Sequence, residues 1–395
     1  SIPSLHICGQ VNRYELSSHN KSTKKVRQVG FQETDIVSIA KPITKFAYQL
    51  KNENEIRYIL EKAHYISQNG RPGPVLIDIP MDLQRKVIYP NKLKSFKPKK
   101  ININNKKLSK QILEIISFLK KSKRPVIILG GGIRISRTVK ELQKFLKKFN
   151  IPIVTTWSGV DAINHDDKNY IGNIGVYGSR AANFVIQNSD FVLSLGSRLD
   201  TRITGGVPKN FAREAVIASV DIDKDELNKE RGLKLKIKIN ESLSDFFNVF
   251  EKKSKGLKIQ NPDWTQKSML WKKKYPIVLK HYRTQKKFVN PYFFMERLSK
   301  YLSKDDVVVA DDGAHLTWAI QSLKVLKQQR LFSAFGNSPM GYAFPAAIGA
   351  SIALNKKKII CIDGDGSIQI NIQELQTLAS NKLPIKIIVI NNEGY

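Results

Sequence analysis

Residues 358–392 read KIICIDGDGSIQINIQELQTLASNKLPIKIIVINN. An apolar run ends at a glycine-flanked aspartate, a stretch with helical spacing follows, and a second apolar run ends at two asparagines. This order predicts a strand, a loop, a helix and a second strand, joined by a right-handed crossover that makes the strands parallel. Neighbouring parallel strands lie about 5 Å apart, so their carboxyl ends would meet at one edge of the sheet.

Polar groups follow both predicted strands. Asp365 comes after the first strand, between Gly364 and Gly366, and Asn392 comes after the second. Carboxylate and amide oxygens suit Mg²⁺, which shares its coordination shell with water and phosphate oxygens. The glycines let the backbone approach a bulky anion, and the helix after Ser367 offers free N–H groups to a phosphate. We therefore predict a metal-bridged diphosphate site. The alternative for the loop alone is a plain turn followed by a helix cap.

The rest of the chain repeats the alternation of apolar strands and helices. It predicts an α/β fold of three Rossmann-like, doubly wound parallel-sheet domains, the first and last truncated. The predicted domains are residues 1–90, 105–250 and 288–395, and the lysine-rich stretches 85–107 and 251–287 are interpreted as linkers. The predicted strands cover residues 4–9, 75–79, 125–129, 151–155, 191–195, 215–222, 307–310, 358–362 and 385–390.

The composition indicates a globular protein. The 395 residues are 41% hydrophobic and 25% charged. No apolar run reaches the roughly 18 residues of a membrane helix, and the start does not resemble a signal peptide, so we expect a cytoplasmic protein with no membrane partner. Cys8 and Cys361 lie in apolar runs and are predicted to be buried thiols.

The net charge of +32 raises the question of a polyanionic partner. The basic residues are spread along the whole chain in short pieces, such as 97–100, 272–274 and 356–358, and no aromatic-interleaved basic face stands out. We interpret them as solvated surface and expect no nucleic-acid partner. Steep salt dependence of binding would favour a polyanion site instead.

Five segments, in order, resemble motifs of one enzyme family. Residues 364–366 with 391–392 resemble the motif that binds thiamine diphosphate and its metal in the thiamine-diphosphate enzyme superfamily. Among these enzymes the chain most resembles the acetolactate (acetohydroxyacid) synthase large subunit, over almost its whole length. The other segments are 30–34 (A-F-Q-E-T in the family), 70–80 (G-R-P-G-P-V-L-x-D-x-P), 196–205 (G-x-R-x-D-x-R-x-T-G) and 340–350 (M-G-Y-G-L-P-A-A-I-G-A).

The resemblance implies roles for the last block, which would be the diphosphate-binding domain. Asp365 and Asn392 would hold Mg²⁺ by side-chain oxygens, and Gly394 by its carbonyl. Met340, followed by Gly341, would sit under the cofactor and support its bent shape. The alternative for this methionine is core filling.

The resemblance also implies roles nearer the start, where the first block would be the C-terminal half of the pyrimidine-binding domain. Gln32 would face cofactor and substrate, and Phe31 would line the entry. His315, in the last block, lies where the family carries a polar residue near the diphosphate. The alternatives are an ordinary loop for the first two residues and a surface histidine for the third.

The middle domain of that family binds FAD in a structural role. The resemblance places FAD contacts at Gly131, Gly132, Arg198, Asp221 and Asp223. The alternative is a Rossmann-like domain without flavin, in which the triple glycine at 130–132 only tightens a strand-to-helix turn.

The implied activity is a carboligation. The cofactor's carbon nucleophile adds to the ketone of pyruvate, CO₂ leaves, and a second 2-oxo acid is attacked. The resemblance implies a homodimer or homotetramer and makes a regulatory subunit possible. Alternatives are a related decarboxylase, a lyase acting on a sugar-derived ketone, and a non-catalytic protein that binds thiamine diphosphate or a polyanion.

Three departures from the family pattern matter. The family's proton-relay glutamate precedes the residues present here, so we expect a fragment that is inactive alone. Met81 stands where the synthases carry lysine. Residues 336–339 (GNSP) replace G-L-G-T, and residues 175–184 are similar to synthase-like proteins of surface-polysaccharide clusters. The second substrate is therefore open.

Overall fold

The computed structural model describes residues 2–19, 21–98, 104–326 and 328–394. The chain forms two compact units, residues 1–103 and 104–395. Residues 99–103 of the first predicted linker lie outside the described residues. No helix within the described ranges is both long enough and apolar enough to cross a bilayer.

The first unit is a small parallel sheet covered by helices. Its strands β1–β3 pair in the order β1-β3-β2, which confirms the predicted strands at 4–9 and 75–79. The apolar face of α2 packs on β3 through Ile59 and Ala63. The elements are β1 (Ser4–Gln10), α1 (Ile36–Ala40), β2 (Phe46–Gln49), α2 (Ile56–Gln68), β3 (Pro74–Pro80) and α3 (Met81–Gln84).

The middle of the chain forms a six-stranded parallel sheet. Its order is β10-β9-β8-β4-β6-β7, and its central strand β4 is buried at every residue, as expected for a sheet covered on both faces. Its strands are β4 (Pro125–Leu129), β6 (Ile153–Thr155), β7 (Tyr170–Asn173), β8 (Phe191–Leu195), β9 (Val216–Asp221) and β10 (Ile237–Asn240). Two short strands, β5 (Phe149–Asn150) and β11 (Ile259–Gln260), pair with each other in a separate parallel ladder. The helices are α4 (Asn105–Lys121), α5 (Gly132–Ile135), α6 (Val139–Leu146), α7 (Arg180–Asn188), α8 (Thr201–Thr204), α9 (Lys224–Asn228), α10 (Leu243–Lys253) and α11 (Pro262–Lys274).

The last part of the chain forms a four-stranded parallel sheet in the order β13-β12-β14-β15. The predicted pairing of the two strands in 358–392 is confirmed, with Gly364 opposite Ile390. The strands are β12 (Val307–Ala310), β13 (Arg330–Phe332), β14 (Ile359–Gly364) and β15 (Ile385–Ile390). The helices are α12 (Pro291–Leu298), α13 (Ala314–Ser322), α14 (Ala343–Ala353), α15 (Ser367–Ile370) and α16 (Glu374–Ser380).

Two predictions about local structure are wrong. The stretch 251–287 is not simply a linker, because it contains β11 and α11, and the indole N–H of Trp264 donates to the Pro125 carbonyl at 3.1 Å. Lys267, Lys273 and Lys274 mark the exposed side of α11, while Trp264 is buried against the middle sheet. Cys8 is only half-buried because β1 is an edge strand of the described sheet, whereas Cys361 is buried as predicted.

A buried carboxylate joins the middle and last sheets within the second unit. Asp161 is 4% exposed, and its two oxygens accept from Nε of Arg134 at 3.1 Å and Nε of Arg330 at 2.5 Å. Trp157 continues this junction by packing into the core of the last sheet. The two sheets therefore share both an ion pair and apolar packing.

We expect Asp161→Ala to lower the free energy of unfolding by about 3 kcal/mol, because removing one partner leaves a partly buried charge uncompensated. Urea unfolding of the full chain measures this loss. Asp166→Ala is the matched control. Asp166 is 61% exposed and lies 4.0 Å from Lys324. Its removal should change stability by less than about 0.5 kcal/mol, and equal losses in both variants would contradict the role of Asp161.

Candidate functional site

Carboxyl and amide side chains gather at the carboxyl ends of β12, β14 and β15. Asp311 follows β12, and its N–H donates to the Ile362 carbonyl of β14 at 2.9 Å. Asp365 follows β14, and its N–H lies 3.4 Å from the Ile390 carbonyl of β15. The sheet register therefore brings these three strand ends together at one edge.

The side chains of Asp365 and Asn392 are in contact. One end of the Asn392 amide lies 2.9 Å from Asp365 Oδ1 and 3.0 Å from the Gly394 carbonyl oxygen. If this end is the NH₂ group, it donates to both oxygens. If it is the amide oxygen, three acceptors converge, and only a cation between them relieves the repulsion. The heavy-atom positions are the same in both orientations.

This donor set fits a hard divalent cation. One carboxylate, one amide and one backbone carbonyl are oxygen ligands of the kind that Mg²⁺ and Ca²⁺ accept, with water and phosphate completing the shell. A cluster of three His, Cys, Asp or Glu side chains able to hold a metal does not occur in the described part of the chain. Any metal bound at this edge would therefore rely on Asn392 and Gly394 beside Asp365.

Hydrogen bonds among its own residues stabilise the loop around Asp365. The Gly364 N–H donates to Asp363 Oδ1 at 2.9 Å and to the Ser367 hydroxyl oxygen at 3.1 Å, and the Ser367 hydroxyl donates to Asp363. The hydroxyl of Ser367 thus stabilises the loop. The helix that follows the loop is a single turn, α15, and the longer helix predicted between the two strands is α16, which begins at Glu374.

His315 is buried against this loop. The residue is 6% exposed, and a Cβ added to Gly364 would lie 3.0 Å from its Cε1, so the surface alternative is wrong. Burial lowers the pKa of His315, and the carboxyl of Asp311 opposes that shift. Its Nε2 has no hydrogen-bond partner among the described residues. A buried nitrogen without a partner beside a glycine loop fits a phosphate group as its missing partner.

Met340 lies on a turn fixed to the same edge. Gly341 has φ = 82°, and a Cβ there would lie 2.8 Å from Ile370 Cγ2 and 2.9 Å from Asn371 Nδ2. Only glycine fits this position without strain. The side chain of Met340 is 36% exposed, so core filling does not account for it.

Two buried carboxyl groups were missed by sequence reasoning. Asp311 and Asp363 are fully buried, and Asp311 accepts the N–H groups of Gly341 and Tyr342. Burial raises the pKa of Asp363, and the neighbouring carboxyl of Asp311 raises it further, although the Ser367 hydroxyl lowers it. The available signal was an aspartate at the end of each apolar strand, at 311 as well as at 365.

Gln32 and Phe31 belong to a loop of the first unit. Phe31 is 86% exposed, and Gln32 is exposed with φ = 69°. Glu33 fixes this loop by accepting the N–H groups of Ser17 at 2.6 Å and Val29 at 2.7 Å. Asp365, Asn392, Gly394 and His315 are brought together within the second unit, and Gly341, the neighbour of Met340, packs on Ile370 and Asn371 after the Asp365 loop. The roles of Gln32 and Phe31 stay predictions.

Three of the residues named for FAD, Arg198, Asp221 and Asp223, lie at the carboxyl ends of β8 and β9. Arg198 Nε lies 2.7 Å from Glu226, and the cavity that Arg198 and Asp221 border has a volume of about 10 Å³, enough for one water molecule. Asp223 caps α9 by accepting the N–H groups of Asp225 and Glu226.

The glycines of the middle domain are closely packed. A Cβ on Gly131 would lie 2.8 Å from Ser158 Oγ, and one on Gly132 would lie 2.7 Å from Gly196 Cα. These close contacts account for the glycines by packing alone, and FAD binding stays a prediction.

Comparison with known proteins identifies the class. Residues 112–246 match the family described as thiamine pyrophosphate enzyme, central domain. Residues 311–395 match the family described as thiamine pyrophosphate enzyme, C-terminal TPP binding domain. The chain belongs to the thiamine pyrophosphate enzymes, whose cofactor is thiamine diphosphate.

Similar proteins narrow this class further. The acetolactate synthase large subunit of Porphyra purpurea is 34% identical over 99% of this chain, which spans 64% of that relative. The large subunit of Cyanidium caldarium is 34% identical over the whole chain, and chloroplastic acetolactate synthase 2 of Nicotiana tabacum is 32% identical. The chain is thus homologous to acetolactate synthase large subunits. It covers about 66% and 57% of these last two relatives.

We expect Asp365→Ala to weaken thiamine diphosphate binding in the presence of Mg²⁺ by more than roughly 100-fold, since loss of a group that only orients a metal ligand costs about 10–100-fold. Calorimetry on the full-length protein measures the affinity. Asp305→Ala is the control, because this carboxylate is exposed before β12 and pairs with Lys357 at 2.7 Å. Unchanged affinity in Asp365→Ala would contradict the metal site.

Proposed function

We propose that the protein carrying this chain is a thiamine diphosphate- and Mg²⁺-dependent carboligase that condenses pyruvate with a second 2-oxo acid. The observation that supports this most directly is the contact between Asp365, Asn392 and the Gly394 carbonyl at the ends of paired strands. The similarity to acetolactate synthase large subunits supports the choice of reaction.

The tasks of the chain's own residues follow from their positions. Asp365, Asn392 and Gly394 would hold Mg²⁺, and His315 would meet a diphosphate oxygen with the nitrogen that lacks a partner. Met340 would support the cofactor from its turn. When bound, thiamine diphosphate supplies a carbon nucleophile and takes up the electrons released as CO₂ leaves a 2-oxo acid. Asp365 is then a metal anchor and not an acid–base group.

The methionine at position 81 bears on the second substrate. Arg85 directly follows α3, which begins at Met81. One of its guanidinium nitrogens lies 3.2 Å from the sulfur of Met81. A cation is thus present close to the position where the synthases carry lysine, which supports a second substrate that bears a carboxylate. A decarboxylase or a lyase acting on a sugar-derived ketone remains the alternative, since an arginine does not reproduce the geometry of a lysine.

We expect the full-length protein, supplied with thiamine diphosphate, Mg²⁺ and pyruvate, to form 2-acetolactate. Product analysis by mass spectrometry separates the alternatives. Release of an aldehyde without any carboligation product would favour the decarboxylase. Binding of thiamine diphosphate without consumption of any 2-oxo acid would favour a non-catalytic protein.

We expect Met340→Ala to lower turnover by roughly tenfold or more while thiamine diphosphate affinity changes by less than about threefold, because support of the bent cofactor acts on the reacting geometry. Met340→Leu keeps the volume of the side chain and should retain most of the turnover. Steady-state kinetics and calorimetry supply the two numbers. Equal losses of affinity and turnover would argue against this role.

Further parts of the proposal concern assembly and cofactors. We propose a homodimer or homotetramer, supported by three half-exposed apolar side chains near the site, Ile370, Ile372 and Leu375, and tested by sedimentation. A cytoplasmic location and the lack of a nucleic-acid partner are proposed from the sequence alone, which leaves the presence of a regulatory subunit open. FAD binding is tested by the visible absorbance of the purified protein, which a bound flavin would give.

A further inference from the structure

Both polar groups of the Gly341 backbone are held by side chains from other parts of the last sheet. The Gly341 N–H donates to Asp311 Oδ2 at 2.7 Å, and the Gly341 carbonyl accepts from Asn371 Nδ2 at 2.6 Å. Asp311 also accepts the Tyr342 N–H at 3.1 Å. The turn that carries Met340 is therefore clamped from two sides.

The two residues of this clamp, Asp311 and Asn371, are both connected to β14 and the Asp365 loop that follows it. Asp311 follows β12 and is fixed to β14 by its own N–H, 2.9 Å from the Ile362 carbonyl. Asn371 directly follows α15, the single turn that begins after the Asp365 loop. Asn371 thus connects the turn of Met340 to the chain segment that follows the Asp365 loop.

The clamp matters most on the Met340 side of the turn, because the residues on its other side, Ala343 and Phe344, are already fixed by complete burial. The positive φ of Gly341 is a conformation that glycine adopts without preferring it over others. Met340 is one-third exposed, so core packing does not set its position. Asp311 is fully buried, so the hydrogen bonds that it accepts lie in surroundings of low dielectric constant, where hydrogen bonds are strongest. They are also charge-assisted when its carboxyl group is ionised.

We infer that Asp311 and Asn371 are positioning residues that fix the position of Met340 relative to the Asp365 loop. This inference rests on the proposed function, because Met340 matters only if it supports a cofactor bound through that loop. Neither residue touches the reacting atoms. Their effect should therefore appear in the reactivity of bound thiamine diphosphate and in the order of the turn, more than in affinity.

Asp311→Asn tests the inference, since the amide replaces two acceptor oxygens by one and leaves one N–H of the turn unpaired. We expect amide hydrogen exchange at 341–342, measured without cofactor, to become faster by roughly tenfold or more. We expect deuterium exchange at C2 of bound thiamine diphosphate to slow by roughly 10- to 100-fold, because a misplacement of about 1 Å can cost 10²-fold. Thiamine diphosphate affinity should change by less than about threefold.

Asp306→Asn is the matched control. Asp306 lies at the opposite end of β12, is 3% exposed, accepts the Ser303 N–H at 2.8 Å and pairs with Lys358 at 3.0 Å. It should lower the unfolding midpoint without changing C2 exchange or exchange at 341–342. Equal effects of both substitutions on C2 exchange would show a general loss of stability and would overturn the inference.

Asn371→Ala provides a second test if Asp311→Asn fails to fold. Asn371 is half-buried, and the substitution removes only the bond to the Gly341 carbonyl and a contact with Gln373. It should slow C2 exchange in the same direction as Asp311→Asn, and normal C2 exchange would overturn the inference. A wild-type protein that binds no thiamine diphosphate would overturn the proposed function itself. Wild-type binding together with unchanged C2 exchange in the variants would overturn only the positioning role.

Discussion

The parallel pairing of β14 with β15 is the constraint on which the candidate site depends. Gly364 lies opposite Ile390, so the next residues of both strands emerge at the same level of the sheet. With strands about 4.8 Å apart, Asp365 and Asn392 can touch without any contribution from a long loop. A shift of the register by one residue would turn the side chain of either Asp365 or Asn392 to the other face of the sheet and end the contact between them.

The same edge concentrates acidic groups in a strongly basic chain. Asp311 and Asp312 follow β12, Asp363 lies near the end of the neighbouring strand β14, and Asp365 follows it, whereas the chain as a whole carries a net charge of +32. Fully buried Asp311 accepts three backbone N–H groups, and the raised pKa of Asp363 favours its neutral form. Asp311 and Asp363 thus serve as hydrogen-bond acceptors for the backbone around them, and Asp365 is left as the group whose charge a bound cation would offset.

Sequence reasoning was most accurate for the site residues that directly follow predicted strands. Apolar runs predicted the strands of the last sheet, and polar residues at their ends predicted which side chains meet. The hydrogen bonds that Asp311 accepts from the N–H groups of Gly341 and Tyr342 join residues about thirty positions apart, so no local sequence pattern reveals them. Composition was misleading for α11, where exposed lysines hid the buried face around Trp264, and for His315, whose burial depends on tertiary packing.

The middle sheet shows why glycine patterns alone are weaker signals than paired oxygen donors. A Cβ on Gly130 would lie 2.2 Å from the Gly196 carbonyl oxygen, so the loops after β4 and β8 need glycine simply to pass each other. Packing therefore explains the glycines whether or not a dinucleotide binds. Packing gives no such explanation for Asp365 and Asn392, because Asp365 is only partly buried and Asn392 is exposed, yet their polar groups meet each other and the Gly394 carbonyl at one sheet edge.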